Sequence, residues 1–221
     1  LVQFRDLFGF KNGHKYLYIR KPKTNAMLHL RKCCTLLVLG LITISTTSWM
    51  GVMRFSNRSH QMTIAGTSNL HDWTTNVQEI SLIAEMELVN GYVSTVGTVT
   101  MSAKVNSIKS DKGSVMDGKT REALKGDKNP NITYRLRQVE IAQLKDKISK
   151  LSTEGTLNIA GVTKPVKMDV FARQLPNGEV EVWGAHALSM KDYGMQAPTA
   201  LMGTIKTGDL VTINYSVILK K

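Results

Sequence analysis

Thr98-Val99-Thr100-Met101-Ser102-Ala103-Lys104-Val105-Asn106 alternates apolar and polar residues without a break. A period of two places Val99, Met101, Ala103 and Val105 on one face of an extended chain and leaves the other face to water, the pattern of a half-buried antiparallel strand. The same alternation returns twice further on. Val166, Met168, Val170 and Ala172 interleave with Lys167, Asp169, Phe171 and Arg173, and Val211, Ile213, Tyr215, Val217 and Leu219 interleave with mostly polar neighbours. Helical periodicity is almost absent after Phe55.

Turn chemistry separates these runs: Asn90-Gly91, Asp111-Lys112-Gly113, Ala160-Gly161, Pro176-Asn177-Gly178 and Thr207-Gly208-Asp209. An Asn-Gly pair between alternating runs is the strongest short-range hairpin signal. The pattern predicts about eight strands, near 60–66, 78–89, 92–108, 131–143, 148–160, 163–174, 179–190 and 209–219. One short helix is expected from Gly118 to Lys125, with Asp117 as its N-cap and Ala123 and Leu124 on its apolar side. Strands joined by short hairpins build either a sandwich or a closed barrel. The long run 92–108 favours a barrel, whose tilted strands exceed the usual ~5–6 residues.

Charge is unevenly placed. The 221 residues carry a net charge of +12, but the 54 residues before Phe55 hold nine Lys or Arg against one acid, Asp6, leaving only +4 for everything after. The basic pI of 9.7 therefore describes an N-terminal appendage and not a nucleic-acid surface, and no nucleic-acid partner is expected. Both cysteines, Cys33 and Cys34, fall in the appendage, so residues 55–221 can form neither disulfides nor cysteinyl metal sites.

Within the appendage, no charged residue occurs from Cys33 to Met53, and Leu36-Leu37-Val38-Leu39-Gly40-Leu41-Ile42 forms its apolar centre behind Arg31-Lys32. Basic, apolar, then small polar residues (Ser45 to Ser48) is the order of a secretory signal peptide, with cleavage expected near Ser48. The rival expectation is an uncleaved membrane anchor through residues 33–53, since the run approaches the ~20 residues that span a bilayer. Met27 would start a signal of ordinary proportions, so residues 1–26 read as an upstream extension or the product of an alternative start. The expected organisation is an extension at 1–26, a signal or anchor at 27–54 and one domain at 55–221.

Four segments of that domain carry a resemblance: Gly66-Thr67-Ser68-Asn69-Leu70-His71-Asp72-Trp73; Met116 to Lys125 followed by Asn129-Pro130-Asn131-Ile132-Thr133-Tyr134; Gly155 to Val166; and Leu188 to Met195 with Pro198 to Gly203. In this order, from about Met62 to Leu219, the chain resembles the YceI-like proteins. The resemblance implies an all-β, extended antiparallel barrel of lipocalin type, exported to the periplasm or secreted, whose apolar interior holds a polyisoprenoid or another long-chain lipid. The Gly66 to Trp73 segment departs from the broad family pattern, which leaves the lipid itself unassigned. The lumen candidates are Val99, Met101, Val105, Tyr134, Leu157, Met168, Val170, Leu188, Met190, Leu201 and Met202. Pocket-mouth candidates are His71, Trp73 and Tyr193.

The residues offer little to catalysis. His71 and Asp72 are adjacent, and on a strand they would face opposite ways. His60, His71 and His186 lack the spacing of a recognised metal site. Neither a Gly-x-Ser-x-Gly elbow, a P-loop nor a dinucleotide fingerprint is present, so no enzyme, cofactor or metal is expected. Met101, Met168, Met190, Met195 and Met202 suit either a cavity for a floppy chain or ordinary gap-filling. The alternative to a lipid carrier is a structural or interaction barrel of the cell envelope, filled by its own side chains. The oligomeric state is open.

Overall fold

The computed structural model describes residues Phe8–Lys11, His14–Leu17 and 51–221. The expected signal or anchor at 33–53 lies almost wholly outside them. Strands β1 (Phe8–Lys11) and β2 (His14–Leu17) form an antiparallel pair with Phe8 opposite Leu17. They belong to a unit, Leu1–Trp49, separate from the unit Met50–Lys221.

The second unit runs through β3 (Met53–Ser68), β4 (Trp73–Val77), β5 (Ile80–Val89), β6 (Tyr92–Lys104), β7 (Ile108–Ser110), helix α1 (Ser114–Ala123), β8 (Asn131–Gln143), β9 (Ile148–Ile159), β10 (Val162–Gln174), β11 (Val180–Ser189), β12 (Thr199–Ala200) and β13 (Ile205–Lys220). Eight of these pair antiparallel in the order β3-β5-β6-β8-β9-β10-β11-β13, and β13 pairs back onto β3 to close the barrel. Closure leaves no edge strand in the ring and settles the choice between sandwich and barrel. Strand β4 extends the sheet from the distal part of β3, and β7 pairs with β4.

Alternation governs the packing. Along β9 every second residue from Ser149 to Ile159 is buried. On the outer face, exposed ion pairs such as Lys150–Asp169 at 2.8 Å and Arg173–Glu181 at 2.7 Å link neighbouring strands, each worth ~0–1 kcal/mol. The hairpins at Asn90-Gly91 and Ala160-Gly161 have positive φ at both central residues, the type I′ geometry whose twist matches the flanking strands. Towards the Asn90-Gly91 end the interior is solid: Phe55, Val93, Ala172, Val180 and Leu219 are fully buried in one cluster.

Three sequence expectations change. The expected strand 92–108 stops at Lys104, where a 3₁₀ turn, Val105–Ser107, follows. Ser107 Oγ donates to the Lys104 carbonyl at 2.8 Å and accepts from the Glu79 amide at 3.0 Å, a local alternative to the ladder. The expected strand 60–66 is the middle of the sixteen-residue β3, whose first half buries Phe55 among polar neighbours that mask the pattern. Asp117 is not the helix N-cap: α1 begins at Ser114 after Gly113, whose φ is 85°. The Asp117 carboxylate instead accepts from the Ser110 amide at 2.8 Å and pairs with Lys109 at 3.3 Å. The Ser110 amide, then Lys109, hold its carboxyl below the ordinary carboxylate range.

Candidate functional site: an apolar cavity in the barrel

The inward faces of the strands enclose a cavity of about 260 Å³. Each strand contributes its alternating set: Ile80, Leu82, Ala84 and Met86 from β5; Val96, Val99, Met101 and Ala103 from β6; Ile132, Tyr134, Leu136 and Val139 from β8; Val211, Ile213, Tyr215, Val217 and Leu219 from β13. The step from Leu136 to Val139 breaks the period because the β8–β9 register shifts there, as a bulge does. Thr120 and Ala123 of α1 with Leu124, and Met190, Met195 and Pro198 after β11, line it at the end opposite Asn90-Gly91. Among the described residues, no Asp, Glu, Lys or Arg takes part in the lining. Lining runs along β13 from Val211 to Leu219, eight steps at a rise of ~3.3 Å on strands typically tilted ~40° from a barrel axis. The lined length is therefore about 20 Å along the axis, the proportions of a slot for a chain.

Of the lumen candidates, Val99, Met101, Tyr134, Leu157, Met168, Val170, Leu188 and Met190 all line this cavity. Val105 does not: the turn that ends β6 carries it into the surrounding core, where it is 2 % exposed. Met202 is fully exposed in the turn Leu201–Gly203, where its φ of 53° ends the extended chain. The side chain of Leu201 lies outside the described residues.

The three mouth candidates separate as well. Trp73 lines the cavity, its ring lying over Gly66, where a Cβ would come within 2.3 Å of it. The Trp73 Nε1–H donates to the Thr67 carbonyl at 3.0 Å. Tyr193 is buried in the core after β11 and is not among the residues that line this cavity. His71 is exposed in the loop between β3 and β4. Its Nδ1 donates to the backbone carbonyl of Asp72 at 2.9 Å and makes no bond to the Asp72 carboxylate. Pro165 stands inside β10, and Lys164 pairs with Asp192 at 3.4 Å. Trp183 lies on the outer face, stacked on Phe171 at 5.8 Å between ring centres, with Arg173 over it.

The lumen candidates leave out a sparse set of polar groups within the apolar wall, Thr75, Thr120, Thr153, His186 and Tyr215, of which only Tyr215 was visible in an alternating row. Tyr134 and Tyr215 enter from opposite walls, and glycines make room for both rings. A Cβ on Gly155 would come within 2.4 Å of the Tyr134 ring, and one on Gly184 within 2.6 Å of the Tyr215 hydroxyl. Tyr215 Oη donates to Met168 Sδ at 3.8 Å, a weak bond. Burial, with Tyr134 nearby, pushes the Tyr215 hydroxyl up to about 12. Burial likewise raises Tyr134, opposed by the Thr153 hydroxyl beside it, and burial lowers the imidazole of His186. Such shifts keep all three groups uncharged near neutrality, so the wall is neutral throughout.

A YceI-like domain model matches residues 54–219. The chain belongs to the YceI-like family. Among solved structures, this YceI-like barrel is similar to Burkholderia cenocepacia BcnA, with a TM-score of 0.58 at 13% identity over 72% of this chain and 95% of that one. It is also similar to a polyisoprenoid binding domain from Saccharophagus degradans implicated in plant cell wall breakdown (TM-score 0.57, 12% identity, 77% and 99% covered). A third neighbour is the Campylobacter jejuni YCEI protein (TM-score 0.52, 17% identity, 66% and 84% covered). At these identities the likeness shows a shared fold. A search of curated protein sequences finds no match.

Proposed function

We propose that this YceI-like barrel is an exported, non-enzymatic lipid-binding protein that holds one long apolar chain, a polyisoprenoid or a lipid of similar shape, for carriage, storage or sequestration. The observation that carries the proposal is the slot-shaped cavity of about 260 Å³ with a neutral, overwhelmingly apolar wall. Burial of each CH₂ contributes ~0.8 kcal/mol, so a chain of many carbons binds well without a charged anchor. Six lining methionines, Met62, Met86, Met101, Met168, Met190 and Met195, give the wall the adaptability a flexible chain needs. The S. degradans neighbour, described as polyisoprenoid binding, supports the ligand class. Export to the periplasm or beyond rests on the charge-free run behind Arg31-Lys32.

The test is intact-mass spectrometry of the protein recovered from the envelope and medium of its native host, under conditions that keep lipid bound. The expected result is a mature N-terminus between about Thr46 and Phe55 and an adduct that extraction identifies as a long-chain lipid. Protein that never carries lipid, at any expression level, would favour the structural or interaction barrel. Recovery of the chain with residues 33–53 intact in the membrane would make it an anchored binder.

A further inference from the structure

Tyr134 is 9% exposed, and its hydroxyl is a buried donor with no hydrogen-bond partner among the described residues. Leaving such a group unpaired is costly, and native structures rarely do so without a reason. The neighbours do not relieve it. Thr153 Oγ1, although beside the ring, points its proton at the Met168 carbonyl at 2.9 Å, Tyr215 Oη turns to the Met168 sulfur, and neither oxygen stands where it accepts from the Tyr134 hydroxyl. A phenylalanine at either tyrosine position would fit the same space at no such cost. The ring is nevertheless accommodated deliberately, since β9 gives up a side chain at Gly155 and β11 gives up one at Gly184 so that two phenols can lie in the lumen.

Position adds a second argument. In the ring order β8 and β13 stand on opposite sides of the barrel. Tyr134 leans over β9 and Tyr215 leans over β11, so both converge on the side where β10 carries Met168. The β10–β11 ladder ends at Val170 opposite Gly184, and the next inward residue of β11 is His186, also in the lining. The result is a neutral polar band across an otherwise hydrocarbon slot. Apolar lining continues on both sides of it, to Leu188 and Trp73 one way and to Val217 and Leu219 the other.

We infer that the Tyr134 hydroxyl, with Tyr215 across from it, donates a hydrogen bond to one uncharged oxygen of the bound lipid, a hydroxyl or carbonyl on an otherwise hydrocarbon chain. This deepens the lipid-binding proposal and rests on it. An anionic head group is the wrong occupant for the band. With no cationic side chain in the lining, a phosphate or carboxylate there would lose its water and meet no counter-charge. A pure hydrocarbon would leave the phenol unpaired. A neutral oxygen satisfies it, and a site built to bond an oxygen rejects the analogue that lacks it.

The test compares farnesol with farnesene, which shares its carbon skeleton and lacks the oxygen, on full-length protein stripped of lipid, in wild type and in Tyr134→Phe. The readout is the ratio of the two affinities, because a merely structural role for Tyr134 would shift both probes together. Tyr134→Phe is expected to weaken farnesol by about ten-fold and leave farnesene unchanged or slightly tighter. Tyr215→Phe should move the ratio in the same direction by less, and it keeps the test decisive should Tyr134→Phe fold poorly. An unchanged ratio in both variants overturns the inference while leaving the lipid-binding proposal in place. Failure of wild type to bind either probe overturns both.

Discussion

Gly155→Ala adds a single methyl to β9 at the point where the Tyr134 ring crosses it. The new Cβ would lie 2.4 Å from Tyr134 Cε2 and 2.5 Å from its hydroxyl oxygen. Relief to ordinary contact requires the ring to move by about 1 Å, since carbon atoms pack at ~3.5 Å or more. The ring is rigid and its own Cβ is fixed in β8, so the motion must come from side-chain torsions and is directed into the cavity. Off-rotamer torsions cost ~0.5–1.5 kcal/mol, and overpacking of this kind typically costs ~1–3 kcal/mol. Replacing glycine within a strand returns ~0.5–1 kcal/mol of backbone entropy. A net loss of about 1 kcal/mol follows, or ~2–4 °C in Tm for a domain of this size. Thermal unfolding followed by β-type circular dichroism measures it. The same experiment on Tyr134→Ala and on the double variant closes a thermodynamic cycle. Gly155→Ala should be neutral or stabilising once the ring is gone, giving a coupling of at least ~1 kcal/mol. Additive effects, or a raised Tm in the single variant, would refute the argument that Gly155 exists to admit the ring.

Met168→Trp fills the lumen from β10 and displaces the sulfur that Tyr215 now contacts. Bound lipid per protein should fall several-fold while the circular dichroism stays β-type, and lipid content equal to wild type would show that the cavity is not where lipid resides. Asp209 accepts from Ser189 Oγ at 2.5 Å and from the Lys191 amide at 3.0 Å. Those bonds, the serine first, hold its carboxyl below the ordinary value. With the folded value depressed, the stabilisation is fully present above the unfolded-state value, ~3.9, and is lost as pH falls through the folded value. Denaturation of wild type and Asp209→Asn across pH 2 to 6 should therefore show the difference between them shrinking below about pH 4. A difference independent of pH would assign the effect to something other than the carboxylate.

Much of this was legible because a period of two does double duty. The alternation that predicts a strand also names its inward residues, so Val99, Met101, Met168 and Val170 emerged from the sequence as cavity lining, while Tyr134 and Leu188 came from the segments that carry the family resemblance. The failures cluster where the chain leaves the extended state. Val105 and Met202 keep an apolar character, but a 3₁₀ turn carries each of them out of the barrel's inward row. Asp117 has the composition of a cap and the bonds of an anchor between α1 and β7. Such outcomes depend on where Ser107 and Gly113 redirect the backbone, which periodicity does not report.

The polar band escaped for a different reason. Tyr215 sits in the inward row of β13 beside Ile213 and Val217, so its direction was readable, and His186 shares the parity of Leu188 on β11. What the sequence could not supply was convergence: that a tyrosine from β8 and another from β13 lean to one side depends on ring closure, on a bulge after Leu136 and on glycines of the adjacent strands β9 and β11. Gly155 and Gly184 break the alternating apolar rows and, read alone, look like weak points in strands. In the closed barrel they are the space into which the phenols fit. A lumen meant only for hydrocarbon needs neither glycine, since leucine or valine at all four positions would line the same wall with no polar atom to satisfy. The pairing of each inward tyrosine with a glycine on a neighbouring strand is thus the part of the design that burial of a chain does not explain, and it places the discrimination between ligands deep in the slot rather than at its mouth.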